Sequence, residues 1–230
     1  MKVEFHIHTN YSACSNLSLP VLIKKAQHFN INAIVVCDHN TIKGAQKLAH
    51  TAPFKVIIGE EIETRDGEIL GLFLKKNIPQ GLSFKKAISR IRSQGGLVCL
   101  HHPFDRFRRK RLKPQIIEKS SKVFDLVEIF NGRTYYKADN RKAEIWAQKH
   151  NKKMIVGSDA HTALELGRTF LQMPDFANAE EFLANINQAE FTTFKAEPFV
   201  HLITFVEKIK SKIRVFRDPP PGGRNSPFRG

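Results

Sequence analysis

The chain has 230 residues, 41% hydrophobic and 26% charged, a balance that suits a sizeable folded core and excludes a wholly disordered or collagen-like chain. Thirty-seven Lys and Arg against 22 Asp and Glu give a formal net charge of +15, which fits either a polyanionic partner or anionic substrate, or a generally basic surface. No apolar stretch approaches a membrane span, "MKVEF" carries no apolar leader region, and Cys14, Cys37 and Cys99 are too widely spaced for a disulfide framework, so a cytoplasmic protein without membrane contact is expected.

Alternation begins at once: "KVEFHIH" (2–8) reads as a strand with Val3, Phe5 and Ile7 on one face and Glu4, His6 and His8 on the other. Residues 17–30 have helical spacing, with Ser18 as N-cap and Pro20 in the first turn. A short buried strand at 33–40 ends in Asp38 and His39, and a helix follows at 41–52. Residues 55–64 form a strand ending in Glu60, Glu61 and Glu63; a turn at Asp66-Gly67 leads into another at 66–74. Helix 83–94 stops at Gly95-Gly96, and strand 97–103 ends in His101 and His102. A helix near 114–124, a strand at 125–133, a strong helix at 137–151 and a strand at 153–161 complete the regular alternation. Beyond it lie 167–173, a helix near 178–188, strand-like 190–196 and a helix near 201–212. One domain is expected over 1–215, and a flexible basic Pro/Gly-rich tail over 216–230.

Repeated strand–helix units without an internal sequence repeat predict an α/β fold with mainly parallel strands, and about seven units predict a barrel. A barrel gathers functional groups where strands end, at its C-terminal face. Six of the ten histidines fall at such ends: His6, His8, His39, His101, His102 and His161. Asp38, Glu60, Glu61, Glu128 and Asp159 fall there too. Neutral imidazole and carboxylate are the ligand set of zinc, manganese and iron. Two ions about 3.5–4 Å apart, bridged by one carboxylate, can clamp a phosphoryl or carbonyl centre and hold an attacking hydroxide. Any one of these histidines alone is better explained by a local hydrogen bond; the set is not.

The segments "HIHTNYS" (6–12), "CDHNTIKG" (37–44), "GEEI" (59–62), "HHPFD" (101–105), "VEIFNGR" (127–133) and "GSDAHT" (157–162) together resemble the PHP (polymerase and histidinol phosphatase) family. The resemblance implies a distorted (β/α)7 barrel with two or three divalent ions, Zn, Mn or Fe, at the strand ends. It implies that His6, His8 and Asp159 hold one ion and that Glu61 bridges to a second, with His102 as the next ligand and His101 as its alternative. His39 and His161 match ligands of a third ion, Glu128 matches a further ligand position, and Asp38 binds metal or orients a ligand. Where many members carry Asp or His after the first motif, this chain has Ala13 and Cys14, which leaves the third ion open: Cys14 is either a thiolate ligand or a small buried residue.

The expected activity is hydrolysis of a small phosphate ester such as histidinol phosphate or a nucleotide. Arg133 is the first phosphate-binding candidate, then Arg168 and Arg106, while His39 or His161 serves as proton donor if the third ion is absent. A rival reading is a nucleic-acid-associated module contacting phosphates through "DRFRRKRLK" (105–113) and the basic tail. Hydrolysis of a C–N bond by the same metal chemistry is a third.

Overall fold

The computed structural model describes residues 1–197 and 199–217, the last seven through their backbone alone. Strand β1 (Lys2–Ile7) is the hub of the sheet. It pairs in parallel with β2 (Ala33–Val36), which pairs in parallel with β3 (Lys55–Thr64). Helices α1 (Leu19–His28) and α2 (Lys43–Thr51) are the crossovers. Ser18 does cap α1 in extended geometry, but its side chain makes no capping bond.

The expectation of mainly parallel strands fails at β4 (Gly67–Leu72). Only Arg65 and Asp66 separate it from β3, too few for a crossover, so it returns antiparallel to β3 and pairs antiparallel with β5 (Leu97–Leu100). Gly67 has φ +126°, and a Cβ there would lie 2.6 Å from the Leu112 Cα. That close approach lets segment 110–112 run beside β4, where Glu68 N donates to the Lys110 carbonyl at 2.8 Å. Parallel pairing resumes through β6 (Leu126–Asn131) and β7 (Lys153–Gly157), with α3 (Phe84–Arg92), α4 (Pro114–Lys119) and α5 (Lys137–Lys149) outside.

The nine-stranded sheet runs β7-β6-β5-β4-β3-β2-β1-β8-β9. Its β7 end curls back to β1: Ser158 N donates to the Phe5 carbonyl (2.9 Å), and His8 N to the Ala160 carbonyl (2.9 Å). A nearly closed seven-stranded barrel results. Strands β8 (Phe170–Gln172) and β9 (Glu190–Thr192) extend the sheet antiparallel from β1.

The barrel interior buries Phe5, Val35, Cys37, Leu70, Cys99 and Leu126. Phe176 and Phe182, the latter on α6 (Ala179–Asn185), join this cluster beneath Val3 and Phe5 and seal the N-terminal end. Helix α7 (Phe199–Arg217) reaches past residue 216, where a tail was expected to start; residues 218–230 lie outside the described part. Among the described residues, no helix is long and apolar enough to cross a membrane.

Candidate metal centre

The alternation expected for β1 holds only in part. Val3 and Phe5 join the interior, but Ile7 packs outside against Leu22, Ile34 and Leu48. The cause is His6, whose backbone is left-handed (φ +66°) where the register with β2 shifts between Glu4 and Ile7. His6 and His8 converge nonetheless, with ring centroids 5.3 Å apart. His102 (φ +28°) and Asp159 (φ +52°) are also left-handed without being glycine. Such conformations persist only where the surroundings impose them, and here all three belong to one cluster of polar groups.

His6 Nδ1 donates to Glu128 Oε1 (2.8 Å), which fixes the tautomer and leaves the lone pair on Nε2. His6 Nε2 lies 3.5 Å from Glu61 Oε2 and 3.7 Å from Asp159 Oδ1; His8 Nε2 lies 3.1 and 3.4 Å from the same two atoms. None of these four buried atoms has a hydrogen-bond partner. A buried polar atom left unpaired costs on the order of 1–3 kcal/mol, so four facing one another call for a shared ligand. Bonds of about 2.0–2.2 Å to a tetrahedral ion set its ligands about 3.4 Å apart. The observed separations match that edge length.

The other oxygen of Glu61 faces a second set. Its Oε1 lies 3.1 Å from His101 Nε2 and 3.5 Å from His102 Nε2. Glu61 is thus shared between two donor groups, and His101 and His102 both reach it, where the sequence offered one or the other. Glu60 turns away and accepts from Ile78 N (2.9 Å). A third group of donor atoms, from His8, Cys14, His39 and His161, lies within 4.8 Å of one another.

Burial would lower His6 and His8, but Glu128 and Asp159 beside His6, and Asp159 and Glu61 beside His8, hold both rings above their usual range. Three other rings fit lone-pair donors. Burial holds the His39 pKa down to about 4 and that of His102 to about 3, and pushes His161 well below its usual range, so these rings are neutral at neutral pH. Burial would raise Glu61, but His39 and His101 outweigh it and hold this carboxylate well below its usual range. Asp159 is likewise depressed, burial being overcome by Arg108 and His6.

Two of the expected site residues have their oxygens engaged elsewhere. Glu128 is not brought to the cluster of free donor atoms: one oxygen takes the His6 ring and the other accepts from His102 N (2.7 Å) and Asn131 Nδ2 (3.0 Å). Both of its oxygens are thus occupied by groups of the surrounding residues. Asp38 is likewise occupied by hydrogen bonds. Its oxygens accept from Thr9 N (2.7 Å), Thr9 Oγ1 (2.6 Å) and Ser12 Oγ (2.7 Å), and so shape the loop after β1.

The arginines are redistributed as well. Arg133 lines the cavity above the cluster, but it is nearly buried, ion-paired with Glu165 (2.9 Å) and bonded to the Val200 carbonyl (3.0 Å). Arg106 is engaged with Asp139, and Arg168 stacks on Phe194 beside a different, smaller pocket. The arginine that reaches the donor cluster is Arg108, paired with Asp159. The sequence reading placed it in a charge run and missed it. Its closeness to "HHPFD" was the available signal; that segment 110–112 would be stitched to β4 was not. Glu68 was also missed: it offers an oxygen within 4.8 Å of donor atoms of His39 and Glu61, and burial together with Glu61 raises its pKa to about 8.

Above the cluster opens a cavity of about 1070 Å³. Its rim carries exposed aromatic rings, Phe107 (64% exposed), Tyr135 (52%) and Tyr11 (38%), interleaved with Arg108, Arg109 and Lys110. Helix α7 contributes His201, Phe205 and Lys208 to the opposite wall.

A nearly closed α/β barrel with one carboxylate shared between two histidine sets at its mouth defines a barrel protein with a cluster of metal-binding side chains. The PHP-associated family model matches residues 137–191. Uncharacterized protein MJ0417 of Methanocaldococcus jannaschii is 38% identical over 193 residues, covering 80% of this chain and 78% of the relative. A two-domain protein from Bacteroides vulgatus containing a predicted PHP-like metal-dependent phosphoesterase superposes with a TM-score of 0.66 at 19% identity, over 90% of this chain and 69% of that one. A putative metal-dependent phosphoesterase from Bifidobacterium adolescentis gives a TM-score of 0.57 at 15% identity, over 70% of this chain and 88% of the other. The chain belongs to the PHP family.

Proposed function

We propose that this protein is a metal-dependent phosphoesterase acting on a small phosphate monoester that carries an aromatic group, such as a nucleotide. The observation that carries the reading is Glu61, whose two oxygens face separate histidine sets (His8 at 3.1 Å, His101 at 3.1 Å), the arrangement two bridged ions require. His6, His8 and Asp159 would hold one ion, and His101 and His102 the other. Bound there, divalent ions supply Lewis acidity toward a phosphoryl oxygen and an activated water. The names of the similar solved structures support the same chemistry.

The chain's own residues do the rest. Arg108, between the donor cluster and the cavity, is placed to take a phosphoryl oxygen as a charged, bidentate donor. Phe107 and Tyr135 (centroids 6.1 Å apart) offer faces on which a base can stack, worth about 1–3 kcal/mol per base. A volume of about 1070 Å³ accommodates a nucleotide. Protein loaded in turn with Zn²⁺, Mn²⁺ and Fe²⁺ is to be assayed on nucleoside monophosphates, histidinol phosphate, simple monoesters and diesters. Turnover of monoesters, lost in Glu61→Ala, is expected. No turnover of any ester by protein holding two ions per chain would overturn the reading.

The same rim favours a second reading, in which the substrate is the end of a single strand. Arg106 stacks over Tyr136 (4.4 Å) and Lys195 over Tyr135 (4.7 Å), giving the mix of charge and rings that single-strand sites use. Salt-dependent binding of short oligonucleotides would favour it, and no binding at low salt would remove it.

A further inference from the structure

The loop after β1 is where this chain's residues depart from those the first motif leads one to expect, and its geometry explains what the departure does. Two serines clamp the loop. Ser12 Oγ donates to Asp38 Oδ1 (2.7 Å) and accepts from His39 N (3.0 Å), tying the loop to the end of β2. Ser15 Oγ lies 2.8 Å from the His8 carbonyl and 2.9 Å from the His161 carbonyl, tying it to the ends of β1 and β7. Asn16 N adds a bond to the His161 carbonyl at 3.3 Å. Cys14 sits between the two clamps. It is 3% exposed and borders the cavity, and its sulfur falls within 4.8 Å of donor atoms of His8, His39 and His161.

Independent geometry points to a ligand at this spot. His161 Nδ1 lies 2.7 Å from the Asp159 carbonyl, which can only accept, so Nδ1 carries the proton and Nε2 the lone pair. A backbone carbonyl holding the distal ring nitrogen in this way is how ligating histidines are oriented. His161 is itself only 2% exposed and is one of the four residues of this donor group. Ala13 next door offers no donor at all.

We propose that Cys14 is a thiolate ligand to an ion held together with His39 and His161, beside the pair bridged by Glu61. The proposal rests on reading the barrel mouth as a metal centre; it does not depend on phosphoester hydrolysis. A thiolate with two imidazoles favours thiophilic ions such as Zn²⁺ or Cd²⁺ over Mn²⁺ or Mg²⁺. The mouth would then combine the donor sets on either side of Glu61 with a softer neighbouring position.

Cobalt tests this without any assay of activity. The full chain loaded with Co²⁺ is expected to show a near-ultraviolet sulfur-to-cobalt charge-transfer band. Cys37 and Cys99 lie in the barrel interior, so Cys14 is its source. Cys14→Ser should abolish the band and bind one ion fewer per chain. Cys14→Asp should keep the ion, lose the band and shift preference toward Mn²⁺. A cobalt-loaded wild type without the band, or an unchanged band in Cys14→Ser, overturns the proposal. Should the variants fold poorly, wild-type alkylation by N-ethylmaleimide decides: Zn²⁺ must protect Cys14, and an equal rate with and without Zn²⁺ overturns it. Loss of hydrolysis with the band intact would overturn the function reading alone; loss of the band with hydrolysis intact would overturn this one alone.

Discussion

The two ends of the barrel are built on opposite principles. At the N-terminal end, Phe5, Phe176 and Phe182 meet with ring centroids 5.0–6.3 Å apart, apolar and fully buried. At the C-terminal end the barrel buries five residues, His6, His8, Glu61, His102 and Asp159, with donor atoms that find no partner, and three of them sit on left-handed backbone. The base stabilises the fold by excluding water. The mouth costs the fold free energy and holds its groups ready for a ligand, the division expected when stability and function separate along a barrel.

Mutations should respect that division. The largest effect is expected at the base: Phe182→Ala should cost about 3–5 kcal/mol of stability, read by denaturant unfolding, with metal content of the folded fraction unchanged. A matching loss of metal would mean that the two ends are coupled. At the mouth, Glu128→Gln keeps the size but weakens the acceptor that orients His6, and metal affinity should fall about 10–100-fold while the melting temperature of metal-free protein hardly moves. Equilibrium dialysis checks this, and an unchanged affinity would free Glu128 of its orienting role. Arg108→Ala should raise KM for a phosphomonoester about tenfold, the weight of one charge-assisted hydrogen bond, with metal content retained.

A pH-dependent effect lies between the two ends, at Glu4 on the outer side of β1. Its Oε2 accepts from Gly167 N at 2.9 Å, and burial raises its pKa from 4.5 to about 8. A carboxyl raised in the folded state contributes fully below its unfolded pKa and loses that contribution as pH rises through the folded one. Its share of stability therefore fades between pH 4.5 and about 8. Glu4→Gln, neutral throughout, should melt higher than wild type at the alkaline end of that window and about equally at the acid end. Thermal scans at the two ends test this, and an equal difference at both would sink it.

Much of this was legible in the sequence. Strand–helix alternation with histidines and carboxylates at successive strand ends determines the fold class and most of the donor set, because periodicity and residue chemistry are local properties. His6, His8 and Asp159 are placed that way, Glu61 and His102 are chosen over Glu60 and His101 by the family resemblance, and the structure brings all five side chains together. Three matters depended on tertiary contacts. A two-residue turn made β4 antiparallel and drew the basic run over the mouth, so that Arg108 and not Arg133 faces the donors. The left-handed backbone at His6 aimed both first-strand rings inward while sending Ile7 out. Two serine clamps set Cys14 among the histidines. Each joins residues far apart in the chain, and pairing over such separations is decided by packing and hydrogen-bond closure, which no local pattern carries.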